Sequence, residues 1–493
     1  MALTMRPRLI VAVSLTAFLA ACGGGGGGSS TAPTDSVSGT LSGFTSWTSA
    51  TQLTLQDNGG DNLILNKNGT FTFSQGVTSG SSYAVTVLTP PPNETCTVAN
   101  GTGSATTNVT TVQVSCTVVA PAETILHSFG VPPDGEYPEA GLIMDTNGNF
   151  FGTTAHGGTA GYGTVFELAK GTNSYTETIL HSFGSGTDGQ NPRAGLIMDA
   201  NGNLYGTTSN GGTAGYGTVF ELAPSNGSYT ETVLHSFGAT PDGQYPEAGL
   251  IMDASGNLYG TTSNGGTAGY GTVFELAKGA SGYTETVLNS FTGTNGQHPD
   301  AGLIMDASGN LYGTTSDGGT AGGYGTVFEL AKGASGYTET VLHSFGSGTD
   351  GQYPEAGFIM DASGNLYGTT YQGGSSGYGT VFELVKGASG YTETVLNSFT
   401  GTNGQYPEAG LIMDASGNLY GTTYQSGSSG YGTVFETVKG ASGYTETVLH
   451  SFAGTDGEHP DASLTMDASG NLYGTTYGGG TAGGYGTVFE ITP

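Results

Sequence analysis

The stretch AGLIMDASGNLYGTTSNGGTAGYGTVFELAKGASGYTETVLNSF, Ala248–Phe291, decides the fold. It holds four short runs rich in β-branched and aromatic residues: AGLIMD (Ala248–Asp253), NLYGTT (Asn257–Thr262), GTVFELA (Gly271–Ala277) and TETVLNSF (Thr284–Phe291). Clusters of Gly, Ser and Asn separate them, which is the pattern of short strands joined by turns rather than of helices. Apolar residues also stand side by side, Val273 next to Phe274 and Val287 next to Leu288. Both faces of these strands must therefore be covered.

Moving outward, the same stretch recurs. The aspartate of its MD dipeptide returns at Asp145, Asp199, Asp253, Asp306, Asp361, Asp414 and Asp467, and the phenylalanine of TVFE at Phe166, Phe220, Phe274, Phe328, Phe382, Phe435 and Phe489. A four-stranded repeat of about 54 residues is the mark of a propeller blade, not of a helical solenoid. The phase of the repeats adds a closure. An orphan fourth run, Thr124–Phe129, precedes the first complete repeat, and the sequence ends at Pro493 just after a third run. The orphan is expected to pair beside Thr487–Ile491, completing a seven-bladed ring and removing its open edges. The fold class read here is all-β: a seven-bladed β-propeller over residues 122–493 with an N-to-C latch, preceded by a small Ig-like β-sandwich.

These units resemble the repeats of the bacterial choice-of-anchor tandem repeat GloVer-containing proteins, and GLIMDASGNLYGTT is similar to the first hairpin of NHL-type propeller blades. The resemblance covers Glu123–Pro493. It implies a propeller and surface anchoring, and it implies no catalytic residues.

Composition agrees with a turn-rich β protein. Of 493 residues, 91 are Gly, yet 27 Tyr and 21 Phe make the chain too aromatic for a disordered linker. Nine Lys and Arg against 39 Asp and Glu leave a formal charge of −30, which repels phosphate backbones and excludes nucleic acid as a partner.

The N-terminus reads as an export signal over residues 1–21: basic Arg6 and Arg8, an apolar run from Leu9 to Ala20, then Leu19, Ala20, Ala21 and Cys22. This ending resembles the lipobox of bacterial lipoproteins, which implies lipidation of Cys22 and a membrane partner through the lipid. Residues 22–35 begin with the glycine run Gly23–Gly28 and read as a flexible tether. Gly23 is not the aspartate of inner-membrane retention in similar lipoproteins, so outer-membrane or cell-surface placement is expected.

Residues 36–119 show short alternating runs at Leu53–Gln56, Leu63–Leu65, Thr70–Phe73, Tyr83–Val87 and Val112–Val114, the pattern of an Ig-like sandwich. Asn66–Gly69 reads as a hairpin turn. Cys96 and Cys116 are the only cysteines after Cys22 and are expected to form a disulfide. Closing that loop contributes about 3 kcal/mol in the chain-entropy model. The segment TCTVANGTGSATTNVTTVQVSC resembles the end of a small β module of bacterial surface proteins, which implies a spacer role.

No catalytic constellation emerges. The DASGN loop reads as an Asp-capped turn rather than a calcium loop, since no DxDxDG array or downstream bidentate Glu follows. His127, His181, His235, His343 and His450 share one strand position, held by Asn289 and Asn397 in the other repeats, and are expected to make interblade hydrogen bonds. No GxSxG elbow or phosphate loop is present. The candidate binding surface is one rim, where fourth-to-first and second-to-third loops must meet because strand direction alternates. Its inner positions are Glu139, Arg193, Glu247, Asp300, Glu355, Glu408 and Asp461, ringed by a collar of Tyr137, Asn191, Tyr245, His298, Tyr353, Tyr406 and His459. Such a mouth could take Ca2+, a cationic group or a glycan. The leading expectation is a noncatalytic surface binding or scaffold protein with a glycan or surface protein as partner; the alternative is an extracellular hydrolase or lyase acting on polysaccharide.

Overall fold

In the computed structural model, residues 32–492 are described apart from 45–51, 91–93, 119–120, 173, 185 and 441–442. The expected signal peptide, Cys22 and most of the tether lie outside the described residues. The chain divides into two compact bodies, Met1–Thr117 and Val118–Pro493. Every regular element among the described residues is a strand.

The N-terminal body holds two four-stranded sheets around one core, in which Val37, Leu41 and Phe71 of one sheet meet Leu53, Leu55 and Val85 of the other. Cys96 and Cys116 are disulfide-bonded. Two readings need correction. Asn66–Gly69 is not a hairpin turn: Asp61–Leu65 and Gly69–Thr72 belong to different sheets, and the segment crosses between them. Asn68 anchors the crossing by bonding both the N–H and the carbonyl of Phe44. Thr34 and Asp35, expected in the tether, instead form a strand that pairs with Val77–Thr78.

The C-terminal body is a propeller-like repeat fold. Its described residues form seven four-stranded antiparallel sheets, each running from a two-residue inner strand such as Ile251–Met252, through Leu258–Thr262 and Thr272–Gly279, to an outer strand such as Gly282–Ser290. The inner strand is much shorter than the run AGLIMD, because the chain diverges from the ladder before Ile251 to line the inner edge of the sheet. The glycine of LYGTT has a packing reason. A Cβ at Gly260 would stand 2.7 Å from the Phe274 ring and 2.9 Å from Leu250.

The apolar cores lie between repeats. In one, Tyr205, Val219 and Phe237 of one repeat pack on Leu250, Leu258, Phe274 and Leu276 of the following repeat. The last sheet meets the first repeat in the same way, with Tyr473, Val488 and Phe129 against Leu142, Phe150 and Phe166. The seven sheets thus form a closed circuit. Strand Ala122–Ser128, from the beginning of this body, pairs antiparallel with Thr487–Thr492 at its end, from Ala122 opposite Thr492 to Ser128 opposite Thr487.

At the inner edge, Gly141, Gly195, Gly249, Gly302, Gly357, Gly410 and Ser463 line one open cavity of about 340 Å3. All seven repeats contribute to it. Neighbouring backbones come so close here that a Cβ at Gly410 would fall 3.1 Å from the Gly357 carbonyl.

Candidate functional site

The rim is built by hydrogen bonds between loops. In the third repeat Gly243–Gln244, from the fourth-to-first loop, pairs with Asn264–Gly265, from the second-to-third loop. The equivalent loops of the other repeats pair alike, for example Gln297 with Asp317 and Glu458 with Gly478. The two loop sets therefore share one rim.

Each collar residue takes a left-handed conformation: Tyr137, Asn191, Tyr245, His298, Tyr353, Tyr406 and His459 have φ of 53° to 59°. For residues other than Gly this costs about 1–3 kcal/mol each and persists only where surroundings over-determine it. Here they do. The Tyr245 N–H donates to the Tyr216 carbonyl of the preceding repeat, and the Tyr245 carbonyl accepts from Ser263 N–H at 3.0 Å and from Ser263 Oγ at 3.2 Å. A buried proline follows each collar residue, and the inner rim residue comes next. Nothing in a tyrosine or histidine signals positive φ, so this feature was not legible in the sequence.

Most of the collar side chains pack on tyrosines outside the collar. Tyr137 stacks on Tyr477 at 4.9 Å, Tyr406 on Tyr371 at 4.8 Å and His459 on Tyr424 at 4.3 Å, while Tyr245 and Tyr353 meet Tyr216 and Tyr324 edge-on. Each stacked member has one ring face covered by its partner.

The inner residues form an electrostatic ring. Arg193 Nη1 donates to Glu139 Oε2 at 2.7 Å, so the one cation is spent on its neighbour. Ser316 Oγ donates to Asp300 Oδ2, whereas Asp461 Oδ1 is buried and meets no donor. Burial, then the charges of Glu247 and Glu355, pushes the Asp300 carboxyl up to about 7 despite the Ser316 bond. Burial and Asp317 raise Glu355 to about 7, and burial and Glu355 raise Glu408 to about 7. Asp461 is held well above the carboxylate range by burial and by Glu139 and Glu408. These carboxyls feel acidic neighbours, and only Asp461 has an arginine, Arg193, acting against the rise.

The other motifs serve the blades. Asp253 Oδ1 accepts from the N–H groups of Ser255 and Asn257, and its Oδ2 accepts from Asn257 Nδ2, bonds that hold its carboxyl below the ordinary range against the penalty of burial. Tyr259 OH donates to Glu275 Oε1 at 2.9 Å, tying the TVFE glutamate to the preceding strand. The shared histidine position departs from expectation. Nε2 of His127, His181, His235 and His343 is buried without a hydrogen bond, facing an aspartate of the following loop at 3.5–3.7 Å. Only the His450 imidazole is bonded there, to Asp456 at 3.0 Å.

No curated protein matches the chain in sequence. Among solved structures it is similar to PorZ, a bacterial surface component of the type-IX secretion system of Porphyromonas gingivalis (12% identity, 88% of this chain and 60% of that one, TM-score 0.48). It is also similar to the extracellular domain of a protein assigned as a hybrid two-component system from B. thetaiotaomicron (10% identity, 75% and 39%, TM-score 0.47). A third is a protein assigned as a 6-phosphogluconolactonase from Bacteroides uniformis (15% identity, 66% and 88%, TM-score 0.44). The chain thus spans less than two thirds of the first two. The Gloeobacter/Verrucomicrobia repeat matches residues 91–324 and 304–493, most of the chain and all seven sheets' worth of repeats, and the chain belongs to that family.

Proposed function

We propose that the chain is an exported, noncatalytic binding protein of the bacterial cell surface, lipidated at Cys22 and carried on the outer membrane. In this reading residues 22–33 are a tether, the N-terminal body is an Ig-like spacer, and the C-terminal body is a closed seven-bladed propeller. The Cys96–Cys116 disulfide supports an oxidising compartment. The ligand is a cationic group, either a divalent ion such as calcium or an ammonium group of a surface partner, received at the acidic mouth.

One observation carries this. Six carboxylates, Glu139, Glu247, Asp300, Glu355, Glu408 and Asp461, occupy equivalent positions around the inner rim, and Asp300, Glu355, Glu408 and Asp461 are raised by burial and by acidic neighbours. A cation placed among them relieves that repulsion.

Calorimetry with calcium and with a lysine-rich peptide tests the reading, comparing the wild type with the combined Glu247→Gln, Glu355→Gln, Glu408→Gln variant. Binding by the wild type and at least a tenfold loss in the variant is the expected outcome. No binding by either protein, or identical isotherms, would sink it. Release of Cys22→Ser from the membrane fraction tests the anchor separately.

A further inference from the structure

The contacts between neighbouring outer strands hold a second cluster that the acidic mouth does not use. The closure strand Ala122–Ser128 carries Glu123 and His127, and each faces a different neighbour. His127 stands with Asp134, from the loop that follows it, and Glu177 of the first repeat's outer strand. Glu123 stands with His450 of the sixth repeat's outer strand and Asp456 of the loop that follows. In each trio one imidazole nitrogen and two carboxylate oxygens all lie within 4.8 Å of one another.

These groups are poorly satisfied as they stand. Glu123 Oε1, Glu177 Oε1 and His127 Nε2 are buried without a hydrogen-bond partner. The aspartates, in contrast, are fixed: Gly130 N–H donates to Asp134 Oδ2 at 2.7 Å and Gly135 N–H to Asp134 Oδ1 at 2.8 Å, while Ala453 N–H donates to Asp456 Oδ1. Such outside support is what orients a metal ligand. The His127 and His450 side chains keep 21% and 19% of their surface exposed, so both trios lie close beneath the surface, with His127 Nε2, Glu123 Oε1 and Glu177 Oε1 buried.

The molecule contains its own control. At two seams the histidine is replaced by Asn289 or Asn397, and the loop aspartate changes with it, to Asn295 or Asn403. There the amide completes the cluster: Asn295 Nδ2 donates to Glu339 Oε2 at 2.6 Å, and Asn403 Nδ2 to Glu446 Oε2 at 2.9 Å. The loop amide gives one glutamate oxygen a donor, although Oε1 of Glu339 and Glu446 stays unbonded, whereas the histidine and aspartate pair leaves the glutamate facing a second carboxylate. Burial, then the nearby aspartate, accordingly pushes Glu123 and Glu177 up to about 7.

We propose that each trio, His127–Asp134–Glu177 and His450–Asp456–Glu123, binds a divalent transition-metal ion of the zinc class, so that two ions pin the closure strand to both of its neighbours. The donor set decides the class of metal. One imidazole and two carboxylates are borderline N and O ligands that suit zinc, with an open position left for water, whereas calcium asks for six to eight oxygens. Small side-chain rotations bring the three atoms to metal distances of about 2.0–2.2 Å. The pinning falls on the one strand that closes the circuit without chain continuity to the repeat it completes.

The test titrates zinc into the untagged, metal-free full chain and follows bound metal per chain and the melting temperature. The variant His127→Asn, Asp134→Asn, His450→Asn, Asp456→Asn installs the amide pair that the protein already uses at two seams, so its metal-free melting temperature should match the wild type. The expected result is two fewer zinc ions per chain in the variant and loss of the zinc-induced rise in melting temperature. Should that variant misfold, Glu123→Gln with Glu177→Gln, which leaves both histidines in place, must weaken zinc binding at least tenfold. Equal zinc uptake by the wild type and the folded variant, or no uptake by the wild type, would overturn the proposal.

Discussion

The seam that closes the circuit and the six internal seams are built from the same parts, yet they are held differently. At an internal seam Phe291 packs edge-on against Phe328 at 5.1 Å, and at the closing seam Phe129 packs on Phe166 at 5.2 Å. The apolar contribution is therefore alike. At internal seams the outer strand is continuous with its own sheet, whereas the closing seam depends on a strand from the far end of the body, paired to Thr487–Thr492 only by hydrogen bonds and side chains.

The last repeat also carries residues of its own, one at this seam and one at the seam with the sixth repeat. Where other repeats have isoleucine, such as Ile251, it has Thr465, whose hydroxyl donates to the Leu142 carbonyl of the first repeat. Where others have an axial glycine it has Ser463, whose Oγ accepts from the Gly410 N–H at 3.1 Å. In sequence each is a single departure from the repeat. In the structure both bond across to a neighbouring repeat. Repetition supplies the packing, and the last repeat adds polar bonds of its own to both of its neighbours.

The strongest way to break the comparison is to remove the closure strand. Deleting residues 121–130 strips the last sheet of its outer strand and exposes the edge Thr487–Thr492. Calorimetry should show the transition of the C-terminal body lowered by on the order of 10 °C or more. An unchanged curve would mean that the strand contributes nothing.

A smaller perturbation asks whether the two kinds of seam are equally packed. Phe129→Ala and Phe291→Ala each empty a fully buried ring site, at a cost of about 3–5 kcal/mol. Equal losses in denaturant unfolding are expected. A clearly larger loss for Phe129→Ala would show that the closing seam opens first and carries the rest with it.

Thr465→Ile restores the residue of the other repeats and leaves the Leu142 carbonyl without its donor. A destabilisation of about 1 kcal/mol is expected in a urea titration. A gain in stability would show that apolar packing outweighs the polar bond.

The smallest effect belongs to the inner rim. Asp300, Glu355 and Glu408 hold their protons to about pH 7 in the folded chain, whereas the unfolded chain releases them near the ordinary carboxyl range. Their contribution is thus complete below that range and is lost as pH rises through 7. In chelating buffer the melting temperature should fall by a few degrees from pH 5.5 to pH 8, and Glu355→Gln with Glu408→Gln should flatten the slope. A slope unaltered by the substitutions would assign it to other groups.

Much of this was legible in the sequence because it is local and repeated. The strand runs, their period, the orphan strand at Thr124–Phe129 and the convergence of the loops on one rim follow from hydrophobic pattern, turn chemistry and the alternation of strand direction. Turn residues misled at Asn66–Gly69, since the same Asn and Gly serve a hairpin or a crossing between sheets, and only the pairing of the flanking strands tells them apart. The coupled change of histidine with aspartate to a pair of asparagines was visible in sequence too, but its meaning was not.

What the sequence by itself determined is the number of repeats, their internal strand order and the acidic character of the inner rim. Only the tertiary structure decided that Glu177 meets His127 and Asp134, that the collar residues turn left-handed, and that Thr465 reaches Leu142. The reason is physical. Those features depend on contacts between residues about one repeat apart, or from opposite ends of the body, and on backbone conformations imposed by hydrogen bonds from a neighbouring repeat, so no local preference of the residues themselves encodes them.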